Sequence, residues 1–303
     1  MDVHVGIPRA MLYHEFGKLW TDFFHNLGVP ITISNETNQQ ILDRGTTLAI
    51  DESCLPLKIY LGHVESLLPK CTHIFVPRIA GYHPGFFLCA KFAGLPDIVK
   101  NTFFLSSDRI IAPNIENKSL ITELKAISTV CQATGVSKTS GYLAFNQAKK
   151  SWKSEYTDPS LDSKIAVIGH SYLLDDAFFC RDILKTLSER GIKIVTPENI
   201  PSKTLYQESA ASHPDIYWQL SAKIAGAVQV FSRQPDIRGI IMVSSFGCGH
   251  DSLLNEYVEH HILKNSNKPY IILNLDEHTG SAGVITRVEA FLDLMDWRLE
   301  SCR

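Results

Sequence analysis

The sequence has 303 residues, of which 45% are hydrophobic and 20% are charged, an ordinary globular composition. Its 29 basic and 32 acidic residues leave a formal net charge of -3, which does not favour binding to nucleic acid or to an anionic membrane. There is no run of about 18 apolar residues, so we expect no transmembrane helix. The first residues lack the basic and apolar regions of a signal peptide, and we therefore expect a cytoplasmic protein.

The first part of the chain alternates short apolar runs with helical patterns. "DVHVGIP" is a strand pattern, and the helical pattern after it ends at Gly28, since glycine commonly closes helices. A second strand, "VPITIS", leads into a helix that Ser34 or Asn35 would cap. The third and fourth strands are predicted at "THIFVPRI" and "DRIIAPNI".

The middle of the chain is helical and polar, and alternation then resumes. "NQAKKSWKSEYTDPSLDSK" is typical of a surface helix followed by a hinge. After it come a strand at "KIAVIGHS", a helix, and further strands at "IKIVTP", "RGIIMVSS" and "KPYIILNL". Each of the last two strands precedes another helical pattern.

This alternation predicts an α/β protein with two parallel-sheet domains and helices on both faces of each sheet. We place an N-terminal α/β domain at residues 1–135, a helical linker at 136–163 and a C-terminal α/β domain at 164–303. Ligands of such sheets bind beyond the carboxyl ends of the strands. Functional residues are therefore expected directly after strands.

Three of the seven cysteines lie in such loops. Cys54, Cys89 and Cys248 each stand beside glycine or proline and near an expected helix start. Backbone N–H groups at a helix start favour the thiolate, which is the form that binds metal, and they can donate to the sulfurs of an iron–sulfur cluster. Taken singly, each pattern favours a small buried loop residue, whereas the three together favour a common role. There is no CxxC pair, so a metal site would need distant segments. The remaining cysteines are expected to be structural or inert: Cys71, Cys131, Cys180 and Cys302.

A second group of candidates follows the last strand. Asp276, Glu277 and His278 suit proton transfer or metal binding, and we take Glu277 and His278 as candidate catalytic residues. The alternative is a helix cap with acidic residues near the positive end of the helix dipole. His63 and His250, near two of the cysteines, are either structural or donors to cluster sulfur.

Nucleotide binding is not indicated. "GHSY" follows a strand at the position of a phosphate loop, but it lacks the repeated glycines of a dinucleotide site. No GxxxxGK[ST] motif is present either. We therefore expect neither ATP nor NAD to bind this chain.

Six fragments together resemble a known family: "VGIPRAMLYHEF", "LAIDESCLPLKIYLGHV", "IFVPRI", "LCAKFAGLPD", "FGCGHDSLL" and "LDEHTGSAGVITRVEAFLD". In this order they resemble the acyl-CoA dehydratase activase-related (CoA-substrate-specific activase-related) family. That family is similar to the 2-hydroxyacyl-CoA dehydratase subunits and the double-cubane cluster proteins. The likeness runs from about residue 3 to residue 295, and the segment from about 115 to 160 carries none of it.

The resemblance implies flavodoxin-like domains and an iron–sulfur cluster, either 4Fe–4S or a double-cubane 8Fe–9S cluster. It implies three cysteine ligands, and the matching positions are Cys54, Cys89 and Cys248. It also implies a homodimer or heterodimer and a separate ATP-hydrolysing iron–sulfur activator that supplies low-potential electrons. The substrate would be an acyl-CoA or a small molecule that is hard to reduce. Relatives often carry a proline where Ser171 stands here.

Two functions follow from these observations. The chain is expected to be an oxygen-sensitive iron–sulfur protein that uses such electrons for reductive or radical dehydration chemistry, as a dehydratase-like lyase or a low-potential reductase. The alternative is a non-catalytic electron-transfer or assembly partner of a dehydratase and activator system. A third reading is a relative without a cluster, with three buried thiols.

Overall fold

Short apolar runs form the strands and amphipathic segments the helices in the computed structural model, which describes residues 3–116, 119–152, 164–212 and 216–301. Contacts divide the chain into two units, residues 1–154 and 155–303. Within the described parts of the chain, no helix is both long and apolar enough to cross a membrane.

The first unit carries twelve described α-helices and β-strands. In chain order they are β1 (Val5–Ile7), α1 (Tyr13–Asn26), β2 (Ile31–Ile33), α2 (Gln39–Leu48), α3 (Leu55–Leu67), β3 (His73–Phe75), β4 (Arg78–Gly81), α4 (Ala90–Thr102), β5 (Ile110–Ile111), β6 (Asn114–Glu116), α5 (Leu120–Thr134) and α6 (Lys138–Ser151). Strands β2, β1, β3 and β5 form one parallel sheet in that order, and β4 pairs with β6 in a second.

The second unit repeats this plan with longer central strands. Its elements are β7 (Lys164–Gly169), α7 (Ser171–Leu174), α8 (Ala177–Glu189), β8 (Lys193–Val195), α9 (Ser202–Ser212), α10 (Gln219–Arg233), β9 (Ile237–Ser245), α11 (Gly249–Val258), a π-helical turn (Glu259–Leu263), β10 (Tyr270–Leu275) and α12 (Ser281–Ser301). The sheet order is β10, β9, β7, β8, and every pairing is parallel.

Both four-stranded sheets therefore follow the same order. If the strands of each sheet are counted along the chain, the order is second, first, third, fourth. This is the start of the flavodoxin-like order, in which the crossovers reverse direction after the second strand. Because crossovers are right-handed, the reversal puts helices on opposite faces of the sheet. The predicted fold class is confirmed.

The strand sequences account for the burial of the sheets. All six residues of β7 are buried, and eight of the nine residues of β9 are, as expected for central parallel strands covered on both faces. In the first unit, Ile7, Phe24 and Ile111 are fully buried within one apolar core. Each unit therefore has a core of its own.

The helix α6 belongs to the first unit, although the sequence pattern placed it in a linker. Phe145 of α6 packs edge-on against Phe23 of α1, with ring centroids 5.4 Å apart. The Asn26 side chain donates to the carbonyl of Ala144 at 3.2 Å. Residues 153–163, the rest of the predicted linker, lie outside the described residues.

Candidate functional site

The three candidate cysteines occupy the same structural position in three helices. Cys54 is the N-cap residue of α3, Cys89 that of α4 and Cys248 that of α11. None of the three thiols caps its own helix by a hydrogen bond. The N–H groups of each first turn thus receive no side-chain acceptor from the cap position. These groups and the helix dipole favour negative charge on the adjacent sulfur.

Two of the three cysteines are linked within the first unit. Lys91, the second residue of α4, places its Nζ 3.4 Å from the Sγ of Cys54. Cys89, directly before α4, is half-buried, whereas Cys54 is 7% exposed. The ammonium group of Lys91 thus donates a hydrogen bond to the Cys54 sulfur, and Lys91 belongs to the helix that Cys89 caps. The pattern of the sequence did not reveal Lys91 as part of this site.

Two glycines allow α3, the helix that Cys54 caps, to pack closely against α2. A Cβ added to Gly62 of α3 would stand 2.0 Å from the carbonyl oxygen of Ile41 in α2. A Cβ added to Gly45 of α2 would stand 1.9 Å from the carbonyl oxygen of Lys58 in α3. The two helix backbones therefore approach more closely than any side chain would allow. Proline at the second position of α3, Pro56, also suits a helix start.

The position of Cys89 is fixed by Arg78 of β4. Its Nη1 donates to the carbonyl oxygen of Ala93 at 2.5 Å, and its Nη2 lies 2.7 Å from Asp97 Oδ2. Both partners belong to α4, so the guanidinium ties the first turns of this helix to the small sheet. The backbone N–H of Leu88, just before the cysteine, donates to the carbonyl of Ala80 at 2.7 Å.

In the second unit, Cys248 lies where the two central strands end. It follows β9, which pairs with β7, and these are the first and third strands of the sheet. The direction of the crossovers reverses here, and ligands of doubly wound sheets bind at this point. Gly247 has φ +73°, a conformation that favours glycine, so this residue is needed for the turn. Gly249 has no such backbone constraint.

A buried carboxylate and imidazole accompany Cys248. Asp251, in the first turn of α11, places Oδ1 2.7 Å from His170 Nε2. Its Oδ2 accepts a hydrogen bond from the backbone N–H of Ser245 at 2.9 Å. Burial would raise the pKa of this carboxyl, but the neighbouring His170, Ser245 and Cys248 lower it. The sequence pattern did not predict the contact between His170 and Asp251, because "GHSY" was interpreted only as a loop that lacks the glycines of a phosphate site. The two residues are 81 positions apart, so no local spacing connects them.

The loop after β10 contains Glu277 and His278, and the structure gives Asp276 a local role. Asp276 Oδ1 accepts hydrogen bonds from the backbone N–H of His278 at 2.9 Å and from Thr279 Oγ1 at 2.6 Å. The Thr279 bond is the main reason why the pKa of Asp276 lies below its usual value. The His278 side chain is exposed. Catalytic roles for Glu277 and His278 stay predictions.

The histidines near the candidate cysteines differ in their surroundings. His63 is fully buried, and its two ring nitrogens lie 2.8 Å from Ser34 Oγ and 3.0 Å from Thr37 Oγ1. Burial lowers the pKa of His63 to about 3, so the ring is neutral and fully bonded, as in the structural alternative. The His250 ring lies 4.3 Å from that of Trp218, centroid to centroid.

The remaining described cysteines are buried, and none of them is the N-cap residue of a helix. Cys131 lies in α5 and Cys180 in α8, and Cys71 is buried just before β3. Burial raises the pKa of all three thiols, that of Cys180 to about 12. They are therefore poor candidates for metal binding. Cys302 lies outside the described residues.

A group of three or more His, Cys, Asp or Glu side chains arranged to hold a metal ion does not occur among the residues that the structure describes. Cys54 and Cys89 belong to the first unit and Cys248 to the second. A cluster shared by the three sulfurs therefore stays a prediction. In donor chemistry the residues fit such a cluster, since all three are thiols at helix starts.

A comparison with protein families finds one match. The model of the family described as CoA enzyme activase uncharacterised domain (DUF2229) matches residues 4–200. The match covers well over half of the 303 residues. It includes Cys54 and Cys89, whereas Cys248, Glu277 and His278 lie beyond it. No curated protein sequence was found to match the chain.

Proposed function

The chain belongs to the family of the CoA enzyme activase uncharacterised domain, and on that premise we propose that it is an iron–sulfur protein of the 2-hydroxyacyl-CoA dehydratase and double-cubane type. Its cluster ligands would be Cys54, Cys89 and Cys248, two from the first unit and one from the second. It would accept low-potential electrons from a separate ATP-hydrolysing activator and use them in reductive or radical dehydration of an acyl-CoA or a small molecule.

The observation that carries this proposal is the shared position of the three cysteines. Each is an N-cap residue, whereas Cys131 and Cys180 are buried within helices. Cap positions otherwise favour serine, threonine, aspartate and asparagine, whose oxygen caps the helix. A cysteine that leaves its helix uncapped gives up that stabilisation, about 1 kcal/mol at each site. Repetition at three helices supports a common function for the sulfurs.

The surrounding residues would stabilise sulfur that carries negative charge. First-turn N–H groups face each cap position, and Lys91 adds an ammonium donor to Cys54. Hydrogen bonds to cluster sulfurs and burial are what set the potential of such a cluster. Three thiolates would leave one iron of a cubane open to an exogenous ligand, by analogy with the open position of catalytic metal sites.

The proposed partner follows from what the sequence lacks and from the family. The residues in the printed sequence carry no GxxxxGK[ST] motif, and the family resemblance implies an ATP-hydrolysing activator, so the proposal assigns ATP hydrolysis to that activator. The family name links the chain to CoA enzyme activases and thus to a system of partner enzymes. Dimer formation is part of the same proposal.

Anaerobic reconstitution with ferrous iron and sulfide tests the proposal. We expect a brown protein with stoichiometric iron and sulfide and, after reduction, an electron paramagnetic resonance signal. Folded protein that stays colourless after this treatment would contradict it. Calorimetric titration with acyl-CoA thioesters then tests the catalytic part: saturable binding supports a dehydratase, and its absence in cluster-loaded protein favours an electron-transfer partner.

A further inference from the structure

Two buried side chains from distant segments meet beside Cys248. His170 follows β7 and Asp251 lies in the first turn of α11, and both are nearly inaccessible, at 6% and 3% exposure. The imidazole Nε2 and the carboxylate Oδ1 are 2.7 Å apart. The ring of Tyr172 stacks on the imidazole, with centroids 4.8 Å apart and planes 26° from parallel, which limits rotation of His170.

A single carboxylate connects every part of the turn that carries the cysteine. Asp251 accepts the backbone N–H of Ser245, the last residue of β9, at 2.9 Å, and it lies in the first turn of the helix that Cys248 caps. Through His170 it also reaches the end of β7. The turn that carries Cys248 is thus held from its own strand, from the neighbouring strand and from the helix that follows it.

Burying the carboxylate of Asp251 lowers the stability of the fold unless its oxygens are fully hydrogen-bonded. Burial alone would raise the pKa of Asp251, but the neighbouring His170 and hydrogen bonds to the carboxylate lower it instead. Well-packed apolar residues often give equal or greater stability than a buried pair of this kind, even where the pair is ionised. The pair is therefore better explained by what it holds in place than by stability.

We propose that His170 and Asp251 are a positioning pair that holds the turn carrying Cys248 in one conformation at the carboxyl edge of the second sheet. The proposal rests on the proposed function, since it takes Cys248 as a cluster ligand. His170 acts through Asp251, which alone of the two belongs to the helix that Cys248 caps. The pair keeps this turn in one conformation, so a cluster meets a preformed ligand site and not a mobile loop.

The test measures the thiol in protein prepared without iron. Native protein is treated with iodoacetamide, and peptide mass spectrometry follows the alkylation of Cys248 and of Cys89 in the same sample. Asp251→Asn and His170→Ala each weaken the bonds that hold the turn on which the Cys248 thiol stands. We expect the Cys248 rate to rise about fivefold or more, the equivalent of about one lost hydrogen bond, while the Cys89 rate stays unchanged.

Two further variants separate positioning from folding. His170→Gln keeps an N–H donor of similar reach, so we expect it to restore a slow Cys248 rate. Asp293→Asn removes an exposed carboxylate of α12, which pairs with Arg190 in the same unit, and should leave both rates unchanged. If Asp251→Asn does not fold, the comparison of His170→Ala with His170→Gln decides the question alone.

Three results would contradict the proposed positioning role of His170 and Asp251. They are an unchanged Cys248 rate in the folded variants, an equal rise at Cys89, and failure of His170→Gln to differ from His170→Ala. Failure of the proposed function looks different, because wild-type protein would then bind no iron whatever the alkylation rates. If wild type does bind iron, Asp251→Asn should also alter the electron paramagnetic resonance spectrum of the loaded protein.

Discussion

The ammonium of Lys91 lies 3.4 Å from the sulfur of Cys54 and joins the starts of two helices in the first unit. Lys91 is the second residue of the helix that Cys89 begins, so a single side chain links the surroundings of both cysteines. This contact gives the proposed cluster ligands of the first unit a common positive partner. It also makes the first prediction.

Lys91→Met should weaken iron binding by the reconstituted protein. The substitution removes a charge-assisted hydrogen bond to sulfur, and bonds of this kind contribute about 1.5–3 kcal/mol. Because Lys91 is only half-buried, we expect the lower end, about a tenfold faster loss of iron to a chelator. Lys100→Met is the control, since Lys100 lies in the last turn of the same helix and donates to Ser107 Oγ at 2.8 Å. Equal rates in the two variants would contradict the role of Lys91.

Gly62→Ala should strongly destabilise the first unit. The new Cβ would lie 2.0 Å from the Ile41 carbonyl oxygen, so α3 must move away from α2. We expect a loss of about 3 kcal/mol in the free energy of unfolding, the upper range for overpacking. Gly94→Ala is the matched control, because nothing lies within 4 Å of its Cβ position and alanine favours helix by about 1 kcal/mol. Urea unfolding that finds the two variants equally stable would refute the close packing of α2 and α3.

Phe104→Gly should stabilise the protein. Phe104 has φ +52° and is 94% exposed, and the following N–H, that of Leu105, donates to the Lys100 carbonyl at 3.0 Å. This is the helix-ending motif in which glycine usually takes the left-handed position. A left-handed conformation destabilises a residue with a Cβ by about 1–2 kcal/mol. Glycine avoids this strain, so we expect the variant to have a higher melting temperature. A lower melting temperature would indicate that the Phe104 ring contributes packing.

Lowering the pH should destabilise the first unit through His63. Burial lowers the pKa of His63 to about 3, whereas the unfolded chain protonates near 6.5. As the pH falls from about 6.5 towards 3, the unfolded state therefore takes up a proton that the folded state does not. This lowers stability by up to about 1.4 kcal/mol per pH unit. Burial likewise lowers the pKa of His14 to about 4, so it acts in the same direction.

His63→Gln provides the measurement for that prediction. Glutamine can still bond Ser34 and Thr37, but it does not titrate. We expect the variant to be less stable than wild type at pH 7 and to lose less stability between pH 6.5 and 4.5, as measured by urea unfolding. Parallel stability profiles for the two proteins would show that His63 does not titrate in the expected way.

Local sequence patterns were sufficient for the fold class and for the helix starts at Cys54 and Cys248. For Cys89 the pattern placed the helix start at Leu95, Pro96 and Asp97, whereas α4 begins at Ala90 and contains Pro96 in its interior. Hydrophobic alternation predicts the parallel strands, because central strands must be apolar along their whole length. Proline and glycine beside Cys54 and Cys248 likewise indicate the turn and helix starts that the structure contains. These features depend on neighbouring residues only, and a sequence displays them directly.

Features that depend on distant residues were not predictable in this way. Asn38 caps α2, not Ser34 or Asn35 as expected, because the Ser34 hydroxyl bonds the ring of His63 and the backbone N–H of Arg9. The predicted third strand is interrupted at Pro77, which has no N–H to continue the ladder. The contact between His170 and Asp251 joins two elements that only the sheet brings together.

Iron content across a cysteine series tests the central claim most directly. Wild type and the Cys54→Ala, Cys89→Ala, Cys248→Ala and Cys180→Ala variants would be reconstituted anaerobically, and iron and sulfide measured per folded chain. We predict that the first three substitutions each remove most of the iron and that Cys180→Ala, which removes a buried thiol of α8, retains it. Full iron content in Cys54→Ala, Cys89→Ala or Cys248→Ala, or iron loss in Cys180→Ala alone, would contradict the proposed ligand set.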